Sequence, residues 1–291
     1  MKKTAALLLL FFSVSLSAGA QTSLDISDLA VPTLIAPEYF GPNAFPVPEM
    51  SDGRTSARWK AEFYADHFFS TRYDWKEDYT TDIFARLTVP LFSPRANLVI
   101  WGPLYEFFHS GSKTNAYRRL SFKQDVDYHT PGDLYVSVDF QPLLQERHGV
   151  DMTVRAVLKT ASGDRYEYAR YYDSPGYFFD AAFGRGFSIA DGVAVLRVAL
   201  SGGFLCWQTD NGRQNDAVMY GALVSLYAGS FSFKTQYGGY VGWENLGDAP
   251  MTLRADIGWS FGDFSVNAGY QMGFNDWPYH QLRLGVTYSF M

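Results

Sequence analysis

The chain has 291 residues, with 24 basic and 30 acidic side chains, a formal net charge of −6 and an aromatic content of 18%. This balance excludes a broad electrostatic attraction for nucleic acid, and the length suffices for one large all-β domain. No window holds about 18 uncharged apolar residues, which excludes helical membrane spans.

In chain order, Lys2 and Lys3 precede an apolar stretch from Ala5 to Val14, and Ser17-Ala18-Gly19-Ala20 then supplies small residues. This reads as a signal peptide over 1–20, cut before Gln21. The apolar stretch is too short to span a bilayer comfortably, and the lack of a cysteine at the new N-terminus argues against a lipid anchor. Removing the two lysines from 24 basic residues leaves 22 against 30 acidic ones, a net charge of −8.

Residues 21–55 form a separate proline-rich segment, with Pro32, Pro37, Pro42, Pro46 and Pro48 interleaved with Tyr39, Phe40 and Phe45. Proline lacks a backbone donor, so this stretch is no strand of a closed sheet. It is expected to lie across the periplasmic opening, to plug a lumen, or to serve as a flexible lead-in.

From 56 to 291 the chain reads as strands near 57–69, 80–91, 96–109, 132–141, 150–160, 173–184, 192–207, 215–227, 231–243, 250–261, 263–273 and 280–290. Successive side chains of a strand point to opposite faces. In the last strand Leu282, Leu284, Val286, Tyr288 and Phe290 therefore oppose Gln281, Arg283, Gly285, Thr287 and Ser289. The segments near 59–69, 82–91, 253–261 and 264–272 repeat this pattern.

Connections alternate between short ones (92–95, 229–230, 262–263) and longer ones around 70–79, 110–131, 161–172, 208–214, 244–249 and 274–279. That alternation predicts an all-β, transmembrane antiparallel β-barrel of about 12 strands, within a range of 10 to 14. A secreted soluble β-protein is the main alternative, because alternation alone does not say which face is wet. The barrel places the chain in the outer membrane of a Gram-negative bacterium with both termini periplasmic. Its partners would be outer-membrane lipid and lipopolysaccharide, the barrel assembly machinery, a small-molecule solute or an envelope protein, with no nucleic acid.

If the apolar face meets lipid, the inward set includes Arg58, Lys60, Glu62, Asp66, Asp82, Arg86, Asp139, Asp151, Arg155, Lys159, Arg197, Lys234, Arg254, Asp256 and Arg283. Such charges either pair into a salt-bridged plug or line a hydrated channel. The long segment 110–131, with Lys113, Arg118, Arg119, Lys123, Asp125 and Asp127, is expected to fold over the mouth, contact a partner or remain a solvated surface. Cys206 reads as a small buried hydrophobe.

The run Gly132-Asp133-Leu134-Tyr135-Val136-Ser137-Val138-Asp139-Phe140, then Leu143-Leu144, precedes Asp151 to Leu158 and Lys159-Thr160-Ala161-Ser162-Gly163. It resembles the Gly-Asp-Leu strand, turn, strand and closing Lys-x-x-x-Gly of porin-like barrels in the phenol-degradation meta-pathway family. The resemblance covers 132–163 and implies passage of small hydrophobic or aromatic compounds. It carries no catalytic residue.

The histidines do not assemble an enzyme site. His109 lies beside Ser110, which sends the two to opposite faces, and His67 is no better placed against Asp66 and Ser70. His129, His148 and His280 fall at loops or strand ends. No spacing suits a metal, and no nucleophile elbow or phosphate loop occurs. The expectation is a porin-like channel without cofactors. A non-conducting barrel acting as a subunit or anchor of an envelope assembly is the alternative, and an outer-membrane lipid-modifying enzyme comes third.

Overall fold

The computed structural model describes residues 36–209, 214–242 and 248–290. The expected signal peptide, the N-terminal part of the proline-rich segment and both chain termini lie outside the described residues, as do much of the expected loops at 208–214 and 244–249.

Antiparallel pairing dominates because short turns return each strand to its neighbour. The strands are β1 (Trp59–Ser70), β2 (Asp78–Pro90), β3 (Ala96–Ser110), β4 (Val126–Thr130), β5 (Tyr135–Leu143), β6 (Asp151–Lys159) and β7 (Gly176–Ile189). They continue as β8 (Ala194–Gln208), β9 (Gln214–Ala228), β10 (Phe231–Gly242), β11 (Met251–Phe261), β12 (Phe264–Phe274) and β13 (Tyr279–Phe290). Pairing of β1 with β13 closes the ring, giving a barrel of 12 strands.

The thirteenth strand, β4, is the outer part of a broken wall strand. It pairs with Glu106–Ser110 of β3, while β5 pairs with Ala96–Trp101 of the same strand. Pro131 cannot donate to the ladder, and the chain leaves the wall over 131–134. The strand expected over 132–141 therefore starts later, at Tyr135, and part of the expected loop 110–131 is wall. Similarly, the strand expected over 173–184 begins after Pro175 and extends to Ile189.

The two faces are inverted relative to a water-soluble β-protein. Leu284 is 66% exposed on the outer face, whereas Asp66 is 1% and Arg254 7% exposed within. Phe63, Ile83, Leu158, Leu200 and Ile257 continue the outer apolar belt. An apolar surface of this extent is stable against hydrocarbon and a liability in water. Closure matters for the same reason: a barrel leaves no unpaired strand edge in lipid. At the short-turn end the belt finishes in aromatic contacts, Trp59 with Phe290 (5.8 Å) and Phe264 with Tyr288 (4.5 Å), an interfacial placement.

Candidate functional site: the lumen and its N-terminal strap

Residues 36–58, the strap, run through the lumen before β1 begins. Pro42, Pro46 and Pro48 prevent ladder pairing, so the strap is held through side chains and isolated backbone groups. Its first described residues lie at the long-loop end. There Glu38 accepts hydrogen bonds from Arg72 Nη2 (2.6 Å) and from the Tyr117 hydroxyl. Burial and the Glu38 contact both push the Tyr117 phenol up, so it remains a donor. Tyr279 Oη donates to the Phe40 carbonyl (2.6 Å) and Trp277 Nε1 to that of Pro42 (3.1 Å).

Below these contacts the strap builds an apolar core. Phe40, Ala44, Phe45 and Val47 pack with Leu120, Tyr172, Leu205, Trp207, Met219 and Tyr240. This seals the half of the lumen beneath the long loops. Underneath it, Asn43 Nδ2 donates to Asp82 (2.7 Å) and Glu106 (2.9 Å).

At the waist the strap meets four arginines. The Glu49 carboxylate accepts from Arg86 Nη2 (2.6 Å), Arg254 Nη1 and Arg283 Nη1 (3.3 Å), and its carbonyl accepts from Arg155 Nη2 (2.8 Å). Further on, Arg197 Nη2 donates to the Asp52 carbonyl (2.6 Å), Ser51 bonds Thr153 (2.7 Å), and the Ser56 amide donates to Asn97 (2.7 Å). Gly184 marks how close the strap passes: a Cβ there would lie 2.1 Å from the Asp52 carbonyl oxygen.

Beside the strap a cavity of about 920 Å³ runs from Pro42, Asn43 and Trp277, above the waist, to Ser230 and Ser289 at the short-turn end, lined by Glu49, Lys60, Glu62, Arg86, Lys234 and Arg254 among others.

The charges named from the sequence fall as follows. Arg58 is half-exposed at the short-turn rim and pairs with Asp263 (2.6 Å). Lys60 and Glu62 border the cavity, and Glu62 accepts from Tyr64 (2.7 Å). Asp66 binds Arg283 Nε (2.7 Å), and Asp82 holds Asn43. Asp139 accepts from Ser137 (2.7 Å), Asp151 pairs with Arg197 (2.9 Å), and Arg155 holds Asp180 through Nε (2.9 Å). Lys159 pairs with Asp133 (2.5 Å), while Lys234 and Asp256 face each other across β10 and β11. Arg86, Arg254 and Arg283 converge on Glu49.

Several participants lie outside the set named from the sequence, among them Glu49, Glu106, Arg170 and Asp180. Arg170 and Glu106 form a fully buried pair (2.6 Å). Arg170 comes from a tyrosine-rich loop whose pattern gives no sign of burial. Asp180 was legible, since it shares the inward parity of Phe178 and Ala182. Glu49 carried no periodic signal, because proline-flanked chain has none.

The Gly-Asp-Leu and Lys-x-x-x-Gly segments form one physical unit. The Asp133 carboxylate accepts from the Gly163 amide (2.7 Å) as well as pairing with Lys159. A side chain at Gly163 would collide with the Tyr171 ring. Ser110 lies inward, bonded to Asn115 (2.7 Å), while His109 contacts Asp127 (2.9 Å) outside. The two are thus on opposite faces. His280 bonds Tyr270 (2.6 Å) on the outer surface, and Cys206 is buried. Among the described residues no group of side chains could hold a metal ion.

No family model matches the sequence, and neither does any curated protein. Solved structures do. An outer membrane channel from Pseudomonas putida F1 has a TM-score of 0.53 at 12% identity, covering 84% of this chain and 100% of that one. The NanC porin has a TM-score of 0.50 at 9% identity, covering 78% and 98%.

The likeness is one of fold. This chain has the fold of porin-like outer-membrane barrels, and the matches do not single out the phenol-degradation meta-pathway barrels among them.

Proposed function

We propose that this protein is an outer-membrane porin-like channel for passive or facilitated passage of a small solute, closed at rest by its own strap. The observation that carries this reading is the charged cavity of about 920 Å³, which runs beside the strap and is bounded by Val47, Tyr135, Phe178 and Trp207 of the apolar core that the strap completes. In this reading the chain is exported after cleavage before Gln21, and the barrel assembly machinery inserts it into the lipopolysaccharide-bearing membrane. The long loops face outward and β13 ends in the periplasm. The inward charges named from the sequence line the path, and opening requires movement of Phe40–Pro48.

Planar-bilayer recording tests this. The mature chain should conduct rarely, and a variant lacking residues 21–52 should show defined steps. A deletion variant that folds, judged by heat-modifiable gel migration, yet passes no ions and no solute in liposomes overturns the reading.

A second reading is favoured by the density of strap contacts at both ends: a permanently closed barrel that anchors an envelope assembly. It requires a stable partner whose co-purification depends on the loop around the helix Ser112–Tyr117.

A further inference from the structure

The chemistry around Glu49 is that of a ligand site with its ligand built in. Three guanidinium groups, from β2, β11 and β13, surround one carboxylate, and a fourth holds the adjoining carbonyl. Guanidinium forks match carboxylates in geometry as well as in charge. For Arg86 and Arg254, Glu49 is the sole acidic partner within ion-pair distance among the described residues.

The arginines do not depend on Glu49 for their placement. Arg283 is fixed by Asp66 and lies over the rings of Tyr64 (4.7 Å) and Phe84 (5.0 Å). Arg155 is fixed by Asp180, Arg254 by Gln271 (2.8 Å), and Arg86 lies over Phe84 (5.7 Å) and Trp101 (5.8 Å). The wall would therefore keep its shape and positive charge if the Glu49 side chain left. Glu49 itself borders the cavity, so a solute entering from the short-turn end reaches it directly. Lys60 and Lys234 lie along that approach together with Glu62, and the lining as a whole carries more basic than acidic side chains, which favours an anion.

We propose that Arg86, Arg254 and Arg283 form a binding site for the carboxylate of a small anionic solute, and that Glu49 occupies it as a resident surrogate until solute displaces it. This rests on the channel reading and extends it, naming both the solute class and the event that frees the strap. Exchange of one carboxylate for another keeps the buried charge balanced, which avoids the cost of leaving three arginines unpaired.

Titration calorimetry of the full mature chain in detergent with sodium succinate, at low salt, tests the site. Glu49→Ala should bind succinate about tenfold or more tightly than the parent, the expected gain from freeing charge-assisted hydrogen bonds. Adding Arg254→Gln should remove that gain, and uncharged 1,4-butanediol should not bind. Should Glu49→Ala fail to give a folded barrel, the isosteric Glu49→Gln replaces it with the same expectation. A folded Glu49 variant that binds succinate no better than the parent overturns the proposal.

Bilayer recording separates this from the channel reading. If the strap-deleted protein conducts without anion preference and the Glu49 variant ignores succinate, the site fails while the channel stands. If the Glu49 variant binds succinate but no variant conducts, the arginine site stands and the channel reading fails.

Discussion

Replacing Glu49 by Gln keeps the side-chain shape and removes one negative charge from beneath three arginines. Breaking a buried ion pair by removing one partner costs roughly 3–5 kcal/mol, mostly because the remaining charge is stranded. The Glu49 side chain is 18% exposed and borders a cavity that admits water, so the stranded arginines are partly rehydrated. Screening of this kind lowers the expected loss to about 2–3 kcal/mol. Equilibrium urea unfolding in detergent micelles, followed by tryptophan fluorescence, would read this, because Trp207 is buried in the core the strap completes. A double-mutant cycle with Arg254→Gln should give a coupling of about 1–3 kcal/mol. If Glu49→Gln unfolds within about 0.5 kcal/mol of the parent, the usual range of an inconsequential surface change, Glu49 is not the counter-charge of these arginines.

Phe45→Ala removes a buried ring from the seal beneath the loops and should cost about 3–5 kcal/mol in the same assay. It should also raise the frequency of open events in bilayers. Gly184→Ala places a Cβ against the Asp52 carbonyl and should destabilise by about 1–3 kcal/mol through overpacking, with increased proteolysis of the strap as the local readout. Leu284→Arg on the outer face should cost about 2–4 kcal/mol for a residue at mid-bilayer, measured by unfolding from lipid vesicles. An unchanged stability there would mean that this face does not meet hydrocarbon.

The wall was legible because a strand writes its environment into alternate residues. β13 shows this most plainly: Leu282, Leu284 and Val286 outward, Gln281 and Arg283 inward, in the register that closes the ring against β1. The short connections at 229–230 and 262–263 were equally readable, since two-residue turns leave little choice of partner strand. The break in the fourth wall strand was less so. Pro131 signalled an interruption, but only pairing along β3 showed that Val126–Thr130 is wall rather than loop.

Two-residue periodicity and turn length are local properties of the chain, so the strands and their two unlike faces could be read directly, while closure of the ring and the outward placing of the apolar face came from the structure. What fills the lumen depends on contacts between distant parts of the chain. The route of residues 36–58 and the burial of Arg170 against Glu106 arise from side chains distant in sequence meeting inside the wall. So does the convergence of Arg86, Arg155, Arg254 and Arg283 on Glu49. Proline-rich chain and long loops have no periodicity to announce where they pack, so their partners exist only once the ring has closed around them.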